Sequence, residues 1–207
     1  QDVAVIHMEG DGGRYATMQI LIAKDPDSDW VNWANYRFQL HGKRTIVLPF
    51  FEGQQTSILY FWKYEARGKP IPISISVGDN PLHWYPSGMP FPPGVSEVDF
   101  SGAFAQEPVE LVKSETNDLL VPANAEMIIE GEVLPYERAM EGPFGEYVGY
   151  MHGPRRAMPV MRVTGITHRK EPIIPFCNDG PRDFVNVSTS VSSTLIPIAV
   201  GGHLAAD

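Results

Sequence analysis

The chain has 207 residues, enough for one large domain with a substantial hydrophobic core. Apolar residues make up 43% and charged residues 20%, a composition typical of globular proteins, and no apolar run predicts membrane insertion. The net charge of −9 argues against a nucleic-acid partner, because nucleic acids require a basic surface. The single cysteine, Cys177, excludes an internal disulfide and a cysteine-cluster zinc site, and favours a reducing, cytoplasmic location.

Short apolar runs separated by turn residues predict a mainly β protein with a few helices. The expected strands are residues 3–7, 16–23, 30–40, 45–51, 71–77, 109–113, 125–134, 158–168 and 173–176. The expected helices are residues 57–67, which end at Gly68, and residues 96–105. The proline-rich stretch 81–94 is expected to be an ordered loop. Because strands do not alternate with helices, the pattern favours an antiparallel barrel over a parallel sheet.

Residues 1–178 are expected to form one domain, and the composition changes after them. Residues 179–207 are rich in Ser, Thr, Val and Gly, and we interpret them as the start of a segment that leads to a C-terminal part outside this chain. The chain begins at Gln1 without a methionine and shows no sign of stopping at Asp207. It is therefore expected to be a piece of a longer polypeptide.

The stretch Glu141-Gly142-Pro143-Phe144-Gly145-Glu146 places two carboxylates around a turn of glycine and proline. Such a segment is expected to be an ordered loop, and not a helix or strand, that aims both acids at one place. Two carboxylates in one site acquire different pKa values, which suits one of them to be a general acid. The alternative is that both are solvated loop acids.

The segment Trp30-Val31-Asn32-Trp33-Ala34-Asn35-Tyr36-Arg37 is the second candidate for chemistry. Its arginine is suited to bind a carboxylate through two hydrogen bonds, although a surface salt bridge is the alternative. Asn32 and Arg37 are an odd number of positions apart, so on a regular strand they face opposite sides. A bulge or bend is needed for both to reach one ligand.

Several motifs, taken together, resemble UbiD-type decarboxylases, the prenylated-flavin enzymes that include ferulate and phenolic-acid decarboxylases. They are Asp11-Gly12-Gly13-Arg14-Tyr15, residues 32–37, Gly94-Val95-Ser96-Glu97, residues 107–113, 121–126, 129–131 and 141–150. The resemblance implies that residues 1–178 form a flavin-binding split β-barrel of the flavin-reductase type. Because members of the family are longer, it also implies that flanking parts are missing.

The resemblance also implies roles for three charged residues. Arg37 would hold the substrate carboxylate and pair with Glu141, and Glu146 would protonate the carbon left after carbon dioxide departs. The activity implied is a reversible, non-oxidative decarboxylation of an aromatic or α,β-unsaturated acid. The cofactor would be prenylated FMN, whose added ring serves as the electron sink.

In the family, a divalent cation, Mn²⁺ or Mg²⁺, ties down the flavin phosphate. Two of its ligands match Asn32 and Glu97, and the third, usually histidine, falls on Gln55 in the pair Gln54-Gln55. A neighbouring K⁺ site would map onto Trp30, Pro86, Ser87, Met89 and Glu97. Further flavin contacts implied by the resemblance are Trp33, Ala34, Asn35, Tyr36, Arg37, Gln54 and Phe144.

Two other functions are open at the level of sequence. One is a flavin-binding module without catalysis, which the replacement of histidine by Gln55 favours but the retained Arg37, Glu141 and Glu146 disfavour. The other is an oxidoreductase that uses ordinary flavin, which has no evident use for the paired glutamates. The expected partner is a small carboxylic acid, with homo-oligomerisation through segments outside this chain.

Overall fold

The computed structural model of the chain describes residues 5–146 and 150–177. Twelve strands lie within these residues: β1 (Arg14–Ala16), β2 (Gln19–Lys24), β3 (Val31–Asn35), β4 (Phe38–Gly42), β5 (Thr45–Val47), β6 (Ile71–Val77), β7 (Leu111–Lys113), β8 (Leu120–Pro122), β9 (Met127–Glu141), β10 (Phe144–Gly145), β11 (Met151–His152) and β12 (Arg156–His168). Three α-helices accompany them: α1 (Gln55–Ile58), α2 (Pro81–Trp84) and α3 (Glu97–Ala105). The expected mainly β fold is confirmed.

Eight of these strands form one antiparallel sheet in the order β1-β4-β5-β12-β9-β6-β2-β3. Strand β3 lies at one edge of the sheet, and β4 lies next to β1, which forms the opposite edge. Only Tyr36 and Arg37 connect β3 to β4. Three steps along the chain, from Asn35 to Phe38, span at most about 11 Å. The sheet therefore curls until its two ends approach one another, as the expected barrel requires.

The main hydrophobic core fills the inside of the curl. Ile71, Ile73 and Ile75 alternate along β6 and are fully buried there with Leu21 and Phe38. Burying each such side chain contributes about 2 kcal/mol. A smaller cluster on the outer face packs β2 and β3 against α2 and α3. This outer cluster fixes α3 beside the edge strand β3.

The predicted first helix is present, but it is irregular. After α1 the chain continues as a π-helix, Leu59–Tyr64, and then as a 3₁₀ turn, Glu65–Arg67. Gly68 ends it in the left-handed conformation, with φ of 64°, as expected for a glycine that terminates a helix. The second predicted helix corresponds to α3, and Ser96 is its N-cap residue. None of the helices in the described part of the chain is long and apolar enough to cross a membrane.

Several predicted elements were wrong in extent or kind. The strand predicted over residues 30–40 is two strands, and the one predicted over 45–51 ends at Val47. The strand predicted over 125–134 continues to Glu141, because β9 pairs with β12 along its length. Residues 173–176 are not a strand, and the backbone of Ile173 donates to Glu126, the residue before β9.

The acid-bearing segment is also more regular than a loop. Glu141 is the last residue of β9, and the two-residue strand β10 pairs with β11. Of the strand predicted over residues 3–7, the described part contributes only a bridge between Ile6 and Tyr15. Residues 179–207, and hence the predicted boundary after residue 178, lie outside the described residues.

Candidate active site

The link between β3 and β4 positions the arginine of the site. The chain leaves one edge of the sheet after Asn35 and joins the other end at Phe38, so Arg37 lies where the strand is broken. Asn32 and Arg37 therefore do not lie on one regular strand, since β3 ends between them. Arg37 thereby projects toward the end of β9, which carries the first acid.

Arg37 binds both carboxylates of the predicted pair. Its Nε lies 3.3 Å from Oε1 of Glu141, and its Nη1 donates to Oε1 of Glu146. The side chains of Arg37, Glu141 and Glu146 are only 12%, 4% and 16% exposed. They form one mostly desolvated cluster, not two solvated loop acids. In such surroundings, ion pairs are stronger than at the surface, and an unpaired charge is costly.

Two rings complete the surroundings of the guanidinium group. Its Cζ lies 4.4 Å from the ring centroid of Phe144, which is buried, and 5.7 Å from that of Phe51. Both distances are within the range of cation–π contact. Among the described residues, Nη2 of Arg37 is buried and has no hydrogen-bond partner. In this part of the chain, the Nη2 group of the arginine therefore remains a donor for an incoming acceptor.

The motif at residues 11–15 holds the acid-bearing turn in place. Asp11 accepts a 2.8 Å hydrogen bond from the backbone of Gly145, and the backbone of Gly12 donates to Pro143 at 2.7 Å. A Cβ atom on Gly12 would lie 1.9 Å from the carbonyl oxygen of Gly142. Glycine is thus required at position 12 because the two segments touch backbone to backbone.

A second cluster lies on β3 and α3, where metal ligands were predicted. Glu97 is 1% exposed, and its Oε2 accepts a 2.8 Å hydrogen bond from the backbone of Trp33. Burial raises the pKa of Glu97 to about 7. Asn32 is fully buried and donates to Thr56 at 2.9 Å, while its Oδ1 has no partner within the described residues.

These two oxygens fit a hard cation. An unpaired amide oxygen and a buried carboxylate without a salt bridge among the described residues are groups that a divalent ion would satisfy. Gln55 is next to Thr56 and so belongs to the same neighbourhood. Its Nε2 donates to the backbone of Phe91 at 2.6 Å. No group of three His, Cys, Asp or Glu side chains that could hold a metal occurs in residues 5–146 and 150–177.

Several of the residues predicted to hold K⁺ lie on or beside the elements that carry this cluster. The 3₁₀ turn Pro86–Gly88 packs on β3 and α3, and the buried Ser87 donates to the backbone of His83 at 2.8 Å. Trp30 donates to the backbone of Val95 at 2.9 Å, which ties β3 to the turn before α3. These contacts order the stretch 81–94, which was predicted to be a loop but contains α2 and this 3₁₀ turn. Met89, the residue after the turn, is half-buried.

The other predicted flavin contacts differ in exposure. Trp33 and Tyr36 are buried, and burial raises the pKa of Tyr36 to about 12. Asn35 donates to the backbone of Trp84 at 3.1 Å, and its buried Oδ1 has no partner in the described part of the chain. Ala34 is half-buried, and Gln54, which caps the turn at Phe51, is exposed.

Tyr15 belongs to this site, although no role was predicted for it. Its hydroxyl donates to Oε1 of Glu141 at 3.1 Å and accepts from the backbone of Gly142 at 3.0 Å. The contact joins residues 126 positions apart, so no local pattern reveals it. The only signal in the sequence was that Tyr15 lies in one of the motifs that carry the family resemblance.

Comparison with known proteins identifies the family. Residues 3–181 match the model of the 3-octaprenyl-4-hydroxybenzoate carboxy-lyase Rift-related domain, UbiD. Pyrrole-2-carboxylic acid decarboxylase from Pseudomonas aeruginosa is 36% identical over 99% of this chain and 42% of its own length. Ferulic acid decarboxylase 1 from Candida dubliniensis is 34% identical over 86% of this chain and 35% of its own.

Solved structures agree with the sequence matches. The UbiD-class enzyme HmfF from Pelotomaculum thermopropionicum, in an evolved dimeric form with prFMN, has a TM-score of 0.86 at 35% identity. That match covers 94% of this chain and 44% of HmfF. Vanillic acid decarboxylase from Sedimentibacter hydroxybenzoicus in its closed form has a TM-score of 0.80 at 33% identity, over 84% and 37% of the two chains. This chain thus spans less than half the length of its relatives, and it belongs to the UbiD family.

Proposed function

We propose that the protein containing this chain is a carboxy-lyase that reversibly decarboxylates an aromatic or α,β-unsaturated carboxylic acid with prenylated FMN. Family membership supports this proposal, as do the decarboxylase relatives and the HmfF complex with prFMN. The observation that carries it is the state of Arg37. Two glutamates fix this arginine, while its Nη2 group is buried and unpartnered among the described residues.

Arg37 is proposed to bind the carboxylate of the substrate. A guanidinium group can donate to both oxygens of a carboxylate, and the fixed arginine loses little entropy on doing so. Glu141 is the less exposed acid and is proposed to hold Arg37 in place. The ring of Phe144, which packs on the guanidinium group, would then face the substrate or cofactor.

Glu146 is proposed to be the proton donor. Of the two acids it is the more exposed, so it is better placed to exchange a proton with solvent. It also binds Nη1 of Arg37, the neighbour of the unpartnered Nη2 group that a substrate carboxylate would approach. A carboxylate that binds Nη1 together with Nη2 would displace Glu146 from Arg37. Glu146 could then take a proton from solvent and pass it to the carbon from which carbon dioxide has left.

When bound, prenylated FMN supplies the electron sink for cleavage of the carbon–carbon bond. Asn32, Gln55 and Glu97 are proposed to hold Mn²⁺ or Mg²⁺ at its phosphate, with K⁺ held by Trp30, Pro86, Ser87, Met89 and Glu97. The unpaired Oδ1 of Asn32 and the buried carboxylate of Glu97 support this assignment. Trp33, Ala34, Asn35, Tyr36 and Gln54 would line the flavin. Homo-oligomerisation is proposed to use segments outside this chain.

The test is a measurement of cofactor and product on the full-length protein, co-expressed with a prenyltransferase that makes the modified flavin. Mass spectrometry and absorbance would show prenylated flavin, and a panel of cinnamate, hydroxybenzoates and pyrrole-2-carboxylate would be assayed for carbon dioxide release. Bound prenylated flavin with release from an acid of the panel is the expected result. Bound flavin without release from any acid would favour a cofactor-binding module, and flavin reduction by a nicotinamide would favour an oxidoreductase.

A further inference from the structure

Tyr15 is a buried group of the site for which the proposed reaction has no role. Its side chain is fully buried, and its hydroxyl is placed between two atoms of the acid-bearing segment. It donates to Oε1 of Glu141 at 3.1 Å and accepts from the backbone N–H of Gly142 at 3.0 Å. The carbonyl oxygen of Pro143 also lies 3.5 Å from this hydroxyl, but Oε1 of Glu141 is the nearer acceptor and belongs to a carboxylate, so the proton of Tyr15 is directed to Glu141.

The ring of Tyr15 is coupled to Arg37 as well. It packs on Phe144, with ring centroids 4.6 Å apart, and Phe144 lies 4.4 Å below the guanidinium carbon. One side chain thus contacts both supports of the arginine, Glu141 through its hydroxyl and Phe144 through its ring. Oε1 of Glu141 is the same oxygen that accepts from Arg37 Nε.

We infer that Tyr15 is a positioning residue, whose hydroxyl fixes the carboxylate of Glu141 so that Arg37 presents its unpartnered Nη2 group to the substrate carboxylate. This inference rests on the proposed function. Burial and the negative charge of Glu141 raise the pKa of Tyr15, so its hydroxyl keeps the proton that it donates. Without that hydrogen bond, Glu141 can rotate, and the guanidinium group follows it.

The chain provides a matched control outside the site. Tyr60 is also fully buried, donates to Oε1 of Glu65 at 2.8 Å, and lies in a cation–π contact with the arginine that Glu65 binds, Arg138. Both tyrosines thus support a glutamate–arginine pair. Variants of either tyrosine are expected to lower the stability of the fold. Only variants of Tyr15 are expected to displace the arginine of the active site and so weaken substrate binding.

The test compares Tyr15→Phe with Tyr60→Phe in the full-length, flavin-loaded protein. Phenylalanine keeps the ring on Phe144, and the backbone of Gly142 keeps Gln39 Oε1 as an acceptor at 3.4 Å. Because a misplaced Arg37 binds the substrate carboxylate less well, the KM of Tyr15→Phe for the acid is expected to rise about tenfold. Tyr60→Phe is expected to lower the unfolding temperature without raising KM, and both variants should keep wild-type flavin content.

Equilibrium binding of the same acids, followed by flavin absorbance in a Glu146→Gln background, separates this inference from the proposed function. An about tenfold weaker Kd for Tyr15→Phe, with Tyr60→Phe unchanged, would support the role of Tyr15. If the wild-type protein binds an acid but releases no carbon dioxide, the proposed function fails and the Kd ratio still decides the role of Tyr15. Equal Kd and KM values for Tyr15→Phe and wild type, or equal losses in both variants, would overturn the inference, as would a protein that binds none of the acids.

Discussion

Glu141 follows Arg37 by 104 positions in the sequence, and its Oε1 lies 3.3 Å from Arg37 Nε. The contact forms because β9, the longest strand, ends beside the link between β3 and β4. Both side chains are nearly removed from water, so each charge depends on the other.

Glu146→Gln is expected to lower the decarboxylation rate by a factor of about 10² to 10⁴, because the amide cannot donate a proton to carbon. Arg37→Lys should act instead on substrate binding, since lysine lacks the planar fork of donors. Both variants should retain bound flavin. The measurement is carbon dioxide release per flavin-loaded molecule, with Arg138→Lys as the control. A Glu146→Gln protein that turns over at the wild-type rate would exclude Glu146 as the proton donor.

Glu97→Gln is expected to reduce metal and flavin content together, because it removes the only charged ligand of the proposed divalent site. The amide keeps an oxygen for the backbone N–H of Trp33, so the local fold should survive. Metal analysis and flavin absorbance of the purified protein measure the effect. Glu130→Gln is the control, since Glu130 is equally buried but accepts its hydrogen bonds from Glu115 and Thr116. Wild-type metal and flavin in Glu97→Gln would refute the assignment.

Gln55→His is expected to tighten Mn²⁺ binding, because imidazole is a stronger ligand for transition metals than an amide oxygen. The substitution removes the 2.6 Å hydrogen bond to Phe91, which lowers the gain. A Mn²⁺ titration of metal-depleted protein measures the dissociation constant. Gln54→His places the same group one position away, on an exposed side chain, and should leave the dissociation constant for Mn²⁺ unchanged. Equal constants for the two variants would place Gln55 outside the metal site.

Gly12→Ala is expected to destabilise the protein by about 1–3 kcal/mol, the usual cost of overpacking. The new Cβ would meet the carbonyl oxygen of Gly142 at 1.9 Å and push the acid-bearing segment away from residues 11–15. The free energy of unfolding in urea reports the loss. Gly42→Ala is the control, because its Cβ would have no neighbour closer than 3.8 Å. Similar stabilities of the two variants would contradict the close contact at Gly12.

Low pH is expected to reduce the free energy of unfolding through protonation of Glu65. Burial opposes the ionisation of Glu65, but hydrogen bonds from Arg138, the backbone of Tyr136 and Tyr60 outweigh it and lower its pKa below the usual 4.5. A carboxylate with a lowered pKa stabilises the folded state above its unfolded pKa, and this contribution is lost as the pH falls through the folded pKa. The unfolding free energy of wild type should therefore fall more steeply below pH 4.5 than that of Glu65→Gln.

At neutral pH, Glu65→Gln itself should cost about 3 kcal/mol, because it leaves Arg138 without its charged partner. Glu137→Gln breaks an ion pair with Arg162 that is largely exposed, and it should have little effect at any pH. Urea unfolding between pH 3 and 7 compares the three proteins. Parallel pH curves for wild type and Glu65→Gln would show that this carboxylate does not govern acid stability.

The sequence predicted those elements whose boundaries are marked by residues at their own ends, such as a terminating glycine. Strand β6 has the predicted bounds, Ile71–Val77, and the helix before it ends at Gly68 because glycine there adopts a left-handed conformation. The extension of β9 to Glu141 was not predicted, since only its pairing with β12 stabilises that end. Strands of two or three residues, such as β10, are too short to show a periodicity.

The site was predicted only in part, because some of its contacts join segments that are distant in the sequence. The family resemblance supplied Arg37, Glu141 and Glu146, and the structure brings those three side chains together. The hydroxyl of Tyr15 and its hydrogen bond to Glu141 depend on tertiary contact between distant segments. The identities of the three charged residues were therefore accessible from the sequence, but the contacts that support them, which depend on tertiary geometry, were not.

The two-residue connection between β3 and β4 limits how this fold can be redesigned. Tyr36 and Arg37 join the two ends of the curled sheet. Residues inserted between Asn35 and Phe38 would therefore separate these ends and displace the guanidinium group. Relocating the chain termini to this point would sever the covalent tie that sets the distance between the two ends. Circular permutants opened at exposed turns such as Asp27–Ser28 are expected to retain the site, whereas permutants opened at residue 36 are expected to lose it.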